Sequence, residues 1–180
     1  GILPDDQQAI QTALMEASAD CDLILTSGGV STGDEDHVRS AIEAVGSLSF
    51  WRMGIKPGRP VAMGQVGNAY VVGLPGNPVA SYVGYLALVR PLFYALLGIP
   101  APAPQSWPVT SGFSYKKKQG RREFVRVQLG PDLIAQKFHK EGAGMLSGLA
   151  WATGLVVLEE DRTQIEEGDS LTYVPMTAMT

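Results

Sequence analysis

The stretch LILTSGGVSTGDED, residues 23–36, decides how the fold of this chain is interpreted. Its apolar first residues, and the amphipathic pattern that follows it, predict a strand, then a loop, then a helix. The loop contains three glycines and three hydroxyl side chains, which are Gly28, Gly29, Gly33, Ser27, Ser31 and Thr32. Glycines free the backbone to turn its N–H groups toward one point, and the helix adds the positive end of its dipole. The loop therefore suits an anion, most often a phosphate, although a glycine-rich turn before an ordinary helix explains the same residues.

Three acids follow the loop directly and raise the question of a metal. Asp34, Glu35 and Asp36 would lie beside the bound anion. A phosphate next to carboxylates is typical of a divalent cation between them, and Mg²⁺ needs only one or two carboxylates from the protein. The same acids can instead cap the N-terminus of the helix, where they complement its dipole. The residues alone leave both interpretations open.

Composition argues against several classes of function. The net charge of −4 gives no support for a surface that binds nucleic acid or an anionic membrane. One cysteine, Cys21, cannot form an internal disulfide and fits a reducing cytosol, so we expect a cytoplasmic protein. With two histidines, His37 and His139, a zinc site would have too few of its usual ligands, so any metal site would use oxygen ligands. We find no run of about 18 apolar residues and expect no membrane span.

The first part of the chain alternates helical and strand patterns. Asp5 or Asp6 can cap a helix with apolar residues at helical spacing, and residues 21–26 predict a buried strand that leads into the glycine loop. Residues 38–45 then show one apolar helical face, which Gly46 ends. This alternation predicts an α/β domain with a mostly parallel, doubly wound sheet.

A basic turn follows the next predicted strand, residues 48–55. Lys56 and Arg59 lie in the sequence KPGRP, whose prolines and glycine fix a turn, and Arg52 precedes them on the strand. Three cations so close in sequence could hold an oxyanion, and each arginine could do so through two hydrogen bonds. A solvated basic turn explains them as well.

A hairpin and a second strand-to-helix loop come next. The hairpin is predicted from residues 61–63, residues 69–72 and the turn at Gly67-Asn68. In the loop GLPGNP, residues 73–78, Asn77 is a favourable N-cap and Pro78 fits the first helical turn. The helix, residues 79–97, is apolar on nearly every side and is predicted to be buried, with a kink or break at Pro91. Its aromatic residues are expected in the core or in a dimer contact: Tyr82, Tyr85 and Phe93.

The composition changes beyond residue 98. Residues 99–108 hold four prolines and no periodic pattern, so we predict a linker between domains. Residues 1–98 would form the α/β domain, and residues 109–180 a small, mostly β domain with helical character only at 142–151. The strands of this second domain are expected at residues 124–129, 133–138, 154–158 and 171–174.

Five segments together carry a resemblance to a known family. They are SGGVSTGDED (27–36), IKPGRP (55–60), GLPGNP (73–78), GRREF (120–124) and GMLS (144–147). In this order and spacing they resemble the molybdopterin molybdenumtransferase family, which includes bacterial MoeA and the E domain of gephyrin. The resemblance covers essentially the whole chain. It implies a C-terminal fragment, in which an N-terminally truncated molybdopterin-binding domain precedes the small β domain of the family.

The resemblance implies an enzymatic reaction. Members of the family use Mg²⁺ to insert molybdate into adenylylated molybdopterin, which forms molybdenum cofactor and releases AMP. By matching positions, Asp5, Asp36 and Lys56 are expected to be catalytic, with Asp5 and Asp36 also as metal ligands. The expected substrate-binding residues are Ser27, Gly28, Gly29, Ser31, Arg52, Arg59, Pro75, Asn77, Pro78, Arg121 and Ser147. Arg52 and Arg59 stand where lysine is common in the family.

Two other functions fit parts of the pattern. A molybdopterin adenylyltransferase shares the sheet and the glycine loop, but such enzymes lack the proline-rich linker and the trailing β domain. A non-catalytic scaffold that binds peptides, as the E domain of gephyrin also does, would need an exposed apolar groove. The absent N-terminal parts lead us to expect that this chain binds anions weakly and does not complete molybdenum insertion alone. A homodimer is also expected, for which the apolar helix at residues 79–97 could supply the contact.

Overall fold

The computed structural model describes residues 1–30, 37–139 and 144–176. It divides into unit 1, Gly1–Met53 with Gly58–Ala101, and unit 2, Gly54–Pro57 with Pro102–Thr180. The helices are α1 (Gln7–Asp20), α2 (His37–Val45), α3 (Pro78–Gly84), α4 (Arg90–Leu96) and α5 (Ser147–Trp151), with a π-helical segment at Tyr85–Val89. The strands are β1 (Leu23–Ser27), β2 (Ser47–Arg52), β3 (Ile55–Lys56), β4 (Pro60–Val66), β5 (Ala69–Leu74), β6 (Trp107–Ser111), β7 (Tyr115–Lys116), β8 (Arg122–Leu129), β9 (Ile134–Lys137), β10 (Gly154–Leu158), β11 (Gln164–Ile165) and β12 (Ser170–Pro175).

Unit 1 contains a mixed four-stranded sheet in the order β1-β5-β4-β2. Strands β1 and β5 are parallel, whereas β4 is antiparallel to both β5 and β2. The prediction of an α/β unit is confirmed, but a mostly parallel, doubly wound sheet is not. The reason is the turn at Gly67, where a positive φ of 56° lets the chain reverse from β4 directly into β5.

Helices cover both faces of this sheet. On one face, α1 and α2 bury an apolar cluster that includes Ile10, Leu14 and Ile42. On the other, a second cluster joins the sheet to the helical segment that follows β5: Val61, Val72, Leu74 and Val89. The predicted helices α1 and α2 are therefore confirmed, and their apolar faces are the ones that lie in the core.

Strand β1 is less buried than predicted. The side chains of β1 are half-buried or exposed, and Leu25 is 47% exposed. Among the described residues β1 pairs with β5 alone, so one of its edges has no strand beside it. The apolar run of residues 21–26 predicts the strand correctly but overestimates its burial.

The long apolar helix differs from the sequence prediction in two ways. Instead of breaking at Pro91, it widens one turn earlier, where the amide of Arg90 donates to the carbonyl of Tyr85. This π-type bond accommodates a proline, which lacks an N–H and crowds the preceding turn. The predicted burial holds for α3 but is wrong for α4, which has no buried residue and leaves Phe93 51% exposed.

By length and composition alone, the continuous helix Pro78–Leu96 could cross a membrane. One such helix is a weak indication, because core helices of soluble proteins pass the same test. Val79, Ala80 and Val83 in its first turns are buried in unit 1, whereas α4 at its other end has no buried residue. We expected no segment of this length and apolarity, and this helix corrects that expectation. The finding does not place the helix in a membrane.

Unit 2 is a small closed β structure. Its main sheet runs in the order β10-β12-β6-β9-β8-β3, and an additional β10–β8 pairing closes it. The four predicted strands are confirmed, since they correspond to β8, β9, β10 and β12. The interior is lined by apolar residues that include Val127, Val156, Leu158, Leu171 and Tyr173.

Two segments lie differently from the predicted domain boundaries. Residues Gly54–Pro57 belong to unit 2, where β3 runs parallel to β8, although the prediction kept all of residues 1–98 together. The predicted strand 48–55 is therefore split between two sheets. Strand β6 begins at Trp107, inside the predicted linker.

Candidate functional site

The glycine loop begins where β1 ends. Gly28 and Gly29 adopt φ values of +92° and +66°, which side-chain-bearing residues rarely adopt. The amide of Gly28 donates to the carbonyl of Leu74 at 2.9 Å, and the Ser27 hydroxyl donates to the carbonyl of Pro75 at 3.2 Å. These bonds tie the glycine loop to the segment that follows β5.

The second predicted loop joins β5 to α3. Asn77 caps α3, because its side-chain oxygen accepts the amide of Ala80 at 3.3 Å, and Pro78 occupies the first turn. Ser81 donates its hydroxyl to the carbonyl of Pro75, so the loop is held from both sides. A Cβ atom at Gly76 would lie 3.5 Å from the Cα of Gly28, which places the two loops in direct contact.

The direction of the strands explains why the loops meet. Strands β1 and β5 are parallel neighbours, with Ser27 opposite Leu74 at the end of their pairing. The carboxyl ends of parallel strands lie at one edge of the sheet, which is where ligands usually bind in α/β proteins. The structure thus brings Ser27, Gly28, Pro75 and Asn77 to one edge of unit 1.

The basic turn re-enters unit 1 beside the same helix. Gly58 has a φ of +102°, and a Cβ there would lie only 2.9 Å from the carbonyl oxygen of Ala80. This close approach packs the turn against the first turn of α3. Arg59 is exposed, and its carbonyl accepts the amide of Met53 at 2.9 Å. Arg52 is exposed at the end of β2.

Thr26 is a polar residue that sequence reasoning did not single out. Its hydroxyl oxygen is buried and has no hydrogen-bond partner among the described residues. It lies one residue before the glycine loop, 3.4 Å from the position of a Cβ on Gly73. Since buried hydroxyls are normally hydrogen-bonded, this one is a candidate to bind a water or a ligand at the loop.

Unit 2 holds a second polar group centred on Lys56. Strand β3 places Lys56 directly opposite Glu123 of β8, and Nζ lies 3.1 Å from Oε2 of Glu123. The ammonium also donates to the hydroxyl of Tyr115 at 2.9 Å, and that hydroxyl donates to Oε2 of Glu123 at 2.8 Å. The side chain of Glu123 is 2% exposed, whereas that of Lys56 is 47% exposed.

The pKa values of this group are shifted by burial and hydrogen bonding. Burial lowers the pKa of Lys56, but the hydrogen bonds with Tyr115 and Glu123 outweigh it, so the pKa lies above its usual 10.5. Burial and the bond to Glu123 raise the pKa of Tyr115 above its usual 10.0, although the bond from Lys56 opposes them. Lys56 is thus held as an ammonium group and Tyr115 as a neutral phenol at neutral pH.

Sequence reasoning selected Lys56 but missed Tyr115 and Glu123. The available signal was the acid at Glu123 near the start of an alternating strand, on the same face as two valines, because an isolated acid on an apolar strand face needs a partner. The other predicted residues of unit 2 are Arg121, half-buried before β8, and Ser147, exposed at the first position of α5. In the described part of unit 2, the hydrogen bonds of the Lys56 ammonium go to Tyr115 and Glu123 and not to either of these residues.

The predicted metal site at Asp5 and Asp36 is not tested by the described residues. Asp5 is exposed, and its neighbour Asp6 caps α1 by accepting the amide of Ala9 at 2.8 Å. Asp36 and Ser31 lie outside the described residues. Within residues 1–30, 37–139 and 144–176, no group of three or more His, Cys, Asp or Glu side chains could hold a metal ion.

Comparison with known protein families gives a match in each of the two units. Residues 1–95 match a family described as a probable molybdopterin binding domain, and residues 108–176 match the MoeA C-terminal region, domain IV. The chain belongs to the MoeA family. The first match contains both loops of unit 1, and the second contains Tyr115 and Glu123.

Individual relatives agree with this assignment. The molybdopterin molybdenumtransferase of Haemophilus influenzae is 34% identical over 180 residues, which cover 97% of this chain and 45% of that protein. Gephyrin of Dictyostelium discoideum is 32% identical over 114 residues, covering 54% of this chain and 16% of that protein. A crystal structure of the molybdopterin biosynthesis MoeA protein of Pyrococcus horikosii has a TM-score of 0.80 at 26% identity, covering 97% of this chain and 42% of that one. The chain spans less than half the length of this transferase and of this MoeA protein.

Proposed function

We propose that this MoeA-family chain acts in molybdenum cofactor biosynthesis as the part of a molybdopterin molybdenumtransferase that binds adenylylated molybdopterin and molybdate. The observation that carries the proposal is the contact between the glycine loop and the loop after β5, at the carboxyl edge of two parallel strands. This edge belongs to the part of the chain that matches a molybdopterin binding domain. The name of the Haemophilus influenzae relative supports the transferase activity.

The chemistry of the two units suits this reaction. Cleaving the adenylate and placing molybdenum on the dithiolene both require negative charge to be stabilised at several oxygens. In unit 1, the positive φ values of Gly28 and Gly29 turn the loop at the end of β1, where the amide of Gly28 is bonded to Leu74 and that of Gly29 is proposed to donate to the anion, and Arg59 is an exposed cation. In unit 2, the ammonium of Lys56 is partly exposed and held in place by two partners. Donors that are fixed before the substrate arrives stabilise developing charge without reorganising.

The proposed site residues are those expected from the sequence. Lys56 is proposed to be catalytic, together with Asp5 and Asp36. Substrate binding is proposed for Ser27, Gly28, Gly29, Ser31, Arg52, Arg59, Pro75, Asn77, Pro78, Arg121 and Ser147. The contacts of Ser27 and Asn77 within unit 1 support this set most directly, because both side chains fix the loops that would face the ligand.

Mg²⁺ dependence is a separate part of the proposal and has its own test. When bound, Mg²⁺ would neutralise charge on phosphate oxygens, with Asp36 and Asp5 as the proposed ligands. Asp36→Asn removes the charge but keeps a good helix cap. In equilibrium dialysis, we expect this variant to lose the gain in affinity for adenylylated molybdopterin that Mg²⁺ gives the unmodified chain, while its melting temperature is unchanged. An unchanged gain would leave Asp36 with a capping role only.

A homodimer is also proposed, with α4 as the contact. Phe93 and Leu96 on α4 and Leu97 just after it are exposed, and water-exposed apolar side chains of this size favour association. Sedimentation equilibrium should show dimers for the unmodified chain and monomers for Phe93→Ser. Monomers for both would remove the dimer from the proposal.

Substrate binding and turnover test the central part of the proposal. Adenylylated molybdopterin should bind to this chain in equilibrium dialysis, and binding should weaken in Arg59→Ala. With molybdate and Mg²⁺ added, we expect AMP release to be far slower than with the Haemophilus influenzae relative, because this chain spans 45% of that protein. Failure to bind would overturn the proposal, and AMP release at the rate of the relative would show that residues 1–180 suffice.

A further inference from the structure

Lys56, Tyr115 and Glu123 form a closed set of hydrogen bonds in unit 2. Nζ of Lys56 donates to the Tyr115 hydroxyl at 2.9 Å and to Oε2 of Glu123 at 3.1 Å, and the Tyr115 hydroxyl donates to the same Oε2 at 2.8 Å. An ammonium group has three N–H donors. Two are used by Tyr115 and Glu123, and among the described residues no other partner takes the third, so one remains for a ligand.

Burial differs sharply across the set. The Glu123 side chain is 2% exposed and that of Lys56 is 47% exposed. The acid therefore holds the ammonium from inside the unit, while the ammonium itself reaches the surface. Such an arrangement fixes the direction of a lysine side chain, which is otherwise flexible along its four-carbon stem.

The surroundings favour an anionic ligand. Nζ of Lys137 lies 4.9 Å from the centre of the Tyr115 ring, and Nζ of Lys56 lies 5.5 Å from it. The cluster thus holds two lysines and one acid. Lys56 is exposed and has one N–H donor left after its two bonds to described residues, so an oxyanion approaching Lys56 meets that donor.

We propose that Glu123 and Tyr115 are positioning residues, which orient the ammonium of Lys56 so that its remaining N–H donor binds an oxyanion of the substrate. The inference rests on the proposed function, in which Lys56 binds molybdate or phosphate oxygens. It adds two residues that do not touch the substrate themselves and act through Lys56.

A purely structural ion pair explains these observations less well. The segment Gly54–Pro57 is already joined to β8 by its backbone, including the amide of Arg122 donating to the carbonyl of Gly54 at 2.8 Å. Oε1 of Glu123 is buried and has no hydrogen-bond partner among the described residues. A carboxylate retained only for stability would be expected to have both oxygens satisfied, since an unsatisfied buried oxygen is costly.

Charge and positioning predict opposite effects for one substitution. Glu123→Gln removes a negative charge near the anion, so by charge alone it should strengthen anion binding. If Glu123 positions Lys56, the same substitution should weaken binding, because the ammonium loses its charged partner. Tyr115→Phe removes one hydrogen bond with no change in charge, and it should also weaken binding.

The test measures molybdate affinity of the 180-residue chain by equilibrium dialysis. We expect Glu123→Gln and Tyr115→Phe each to weaken binding about 3-fold to 10-fold, the range of one or two lost hydrogen bonds. Two controls should bind as the unmodified chain does: Glu159→Gln, whose acid pairs with Arg122, and Tyr173→Phe, whose hydroxyl bonds Thr153. In a Lys56→Ala background, adding Glu123→Gln should cause no further loss.

A second readout separates this inference from the proposed function. In ¹H–¹⁵N spectra of lysine ammonium groups, the Lys56 signal, assigned by its absence in Lys56→Arg, should be visible and should disappear in Glu123→Gln and Tyr115→Phe. If the signal behaves in this way but molybdate does not bind, the proposed function fails and the anion-binding role falls with it. If molybdate binds and both variants keep the signal and the affinity, the positioning role is overturned while the proposed function stands.

Discussion

The amide of Gly28 donates a hydrogen bond to the carbonyl of Leu74 at 2.9 Å. This bond continues the parallel pairing of β1 and β5 beyond the last strand pair, Ser27 opposite Leu74. It fixes the glycine loop against the segment that leads to α3, so the two loops form one edge of unit 1. The proposed substrate site depends on this edge.

Two glycines at this edge should respond differently to alanine. Gly28 has a φ of +92°, whereas Gly76 lacks a positive φ and has room for a Cβ at 3.5 Å from the Cα of Gly28. We expect Gly28→Ala to lower the free energy of unfolding by about 1–3 kcal/mol and Gly76→Ala to leave it nearly unchanged. Urea denaturation followed by helical circular dichroism measures the difference, since most of the helical residues belong to unit 1. Equal effects at the two positions would contradict the loop geometry.

Asn77 is predicted to have separable roles in stability and binding. Asn77→Ala removes the cap of α3 and should cost about 1 kcal/mol of stability. Asn77→Asp keeps the cap and should be as stable as the unmodified chain, yet it places a negative charge at the proposed anion site. We therefore expect Asn77→Asp to bind molybdate more weakly in equilibrium dialysis. Unchanged binding by this variant would mean that the ligand does not approach α3.

Local features of the fold could be predicted from the sequence. The cap at Asn77, the reversal at Gly67-Asn68 and the apolar face of α2 each depend on residues a few positions apart, and all three are present. Sheet direction and burial could not be predicted in the same way. They depend on which strands meet: β1 has one neighbour among the described strands, and β4 and β5 form a hairpin inside the sheet.

In the candidate site, too, features set by neighbouring residues could be predicted from the sequence, whereas contacts between distant residues could not. The glycine loop and the loop at Pro75 could be recognised from sequence because turn residues cluster there. The partners of Lys56 could not, because Glu123 lies 67 residues further along the chain and reaches Lys56 only through the β3–β8 pairing. The acids that would complete a metal site stay a prediction, since Asp36 lies outside the described residues.

The Lys56–Tyr115 contact should stabilise unit 2 at neutral pH and lose this stabilisation at alkaline pH. The pKa values of Lys56 and Tyr115 are raised above their usual 10.5 and 10.0. A group with a raised pKa in the folded state gives its full stabilisation below its unfolded pKa and loses it as the pH rises through its folded pKa. We expect the melting temperature to fall as the pH rises above about 10, and to fall less steeply in Tyr115→Phe.

The control for this pH dependence is Tyr173→Phe. It removes a hydroxyl from the same unit, one that bonds Thr153 and does not touch Lys56. Between pH 8 and pH 11, the melting temperature of Tyr173→Phe should fall with pH as steeply as that of the unmodified chain. If the melting temperature fell equally steeply with pH in the unmodified chain and in Tyr115→Phe, the Lys56–Tyr115 contact would not contribute to the pH dependence of stability.

The most direct test of the account is a titration of the ¹⁵N-labelled chain with adenylylated molybdopterin, without oxygen, followed by backbone amide NMR. The central claim is that the two loops of unit 1 form the binding edge. It predicts that the largest shift changes occur at the amides of residues 27–29 and of residues 74, 76 and 77, with Arg59 also affected. No shift changes at saturating ligand, or changes confined to other parts of the chain such as α1 or the strands of unit 2, would contradict it.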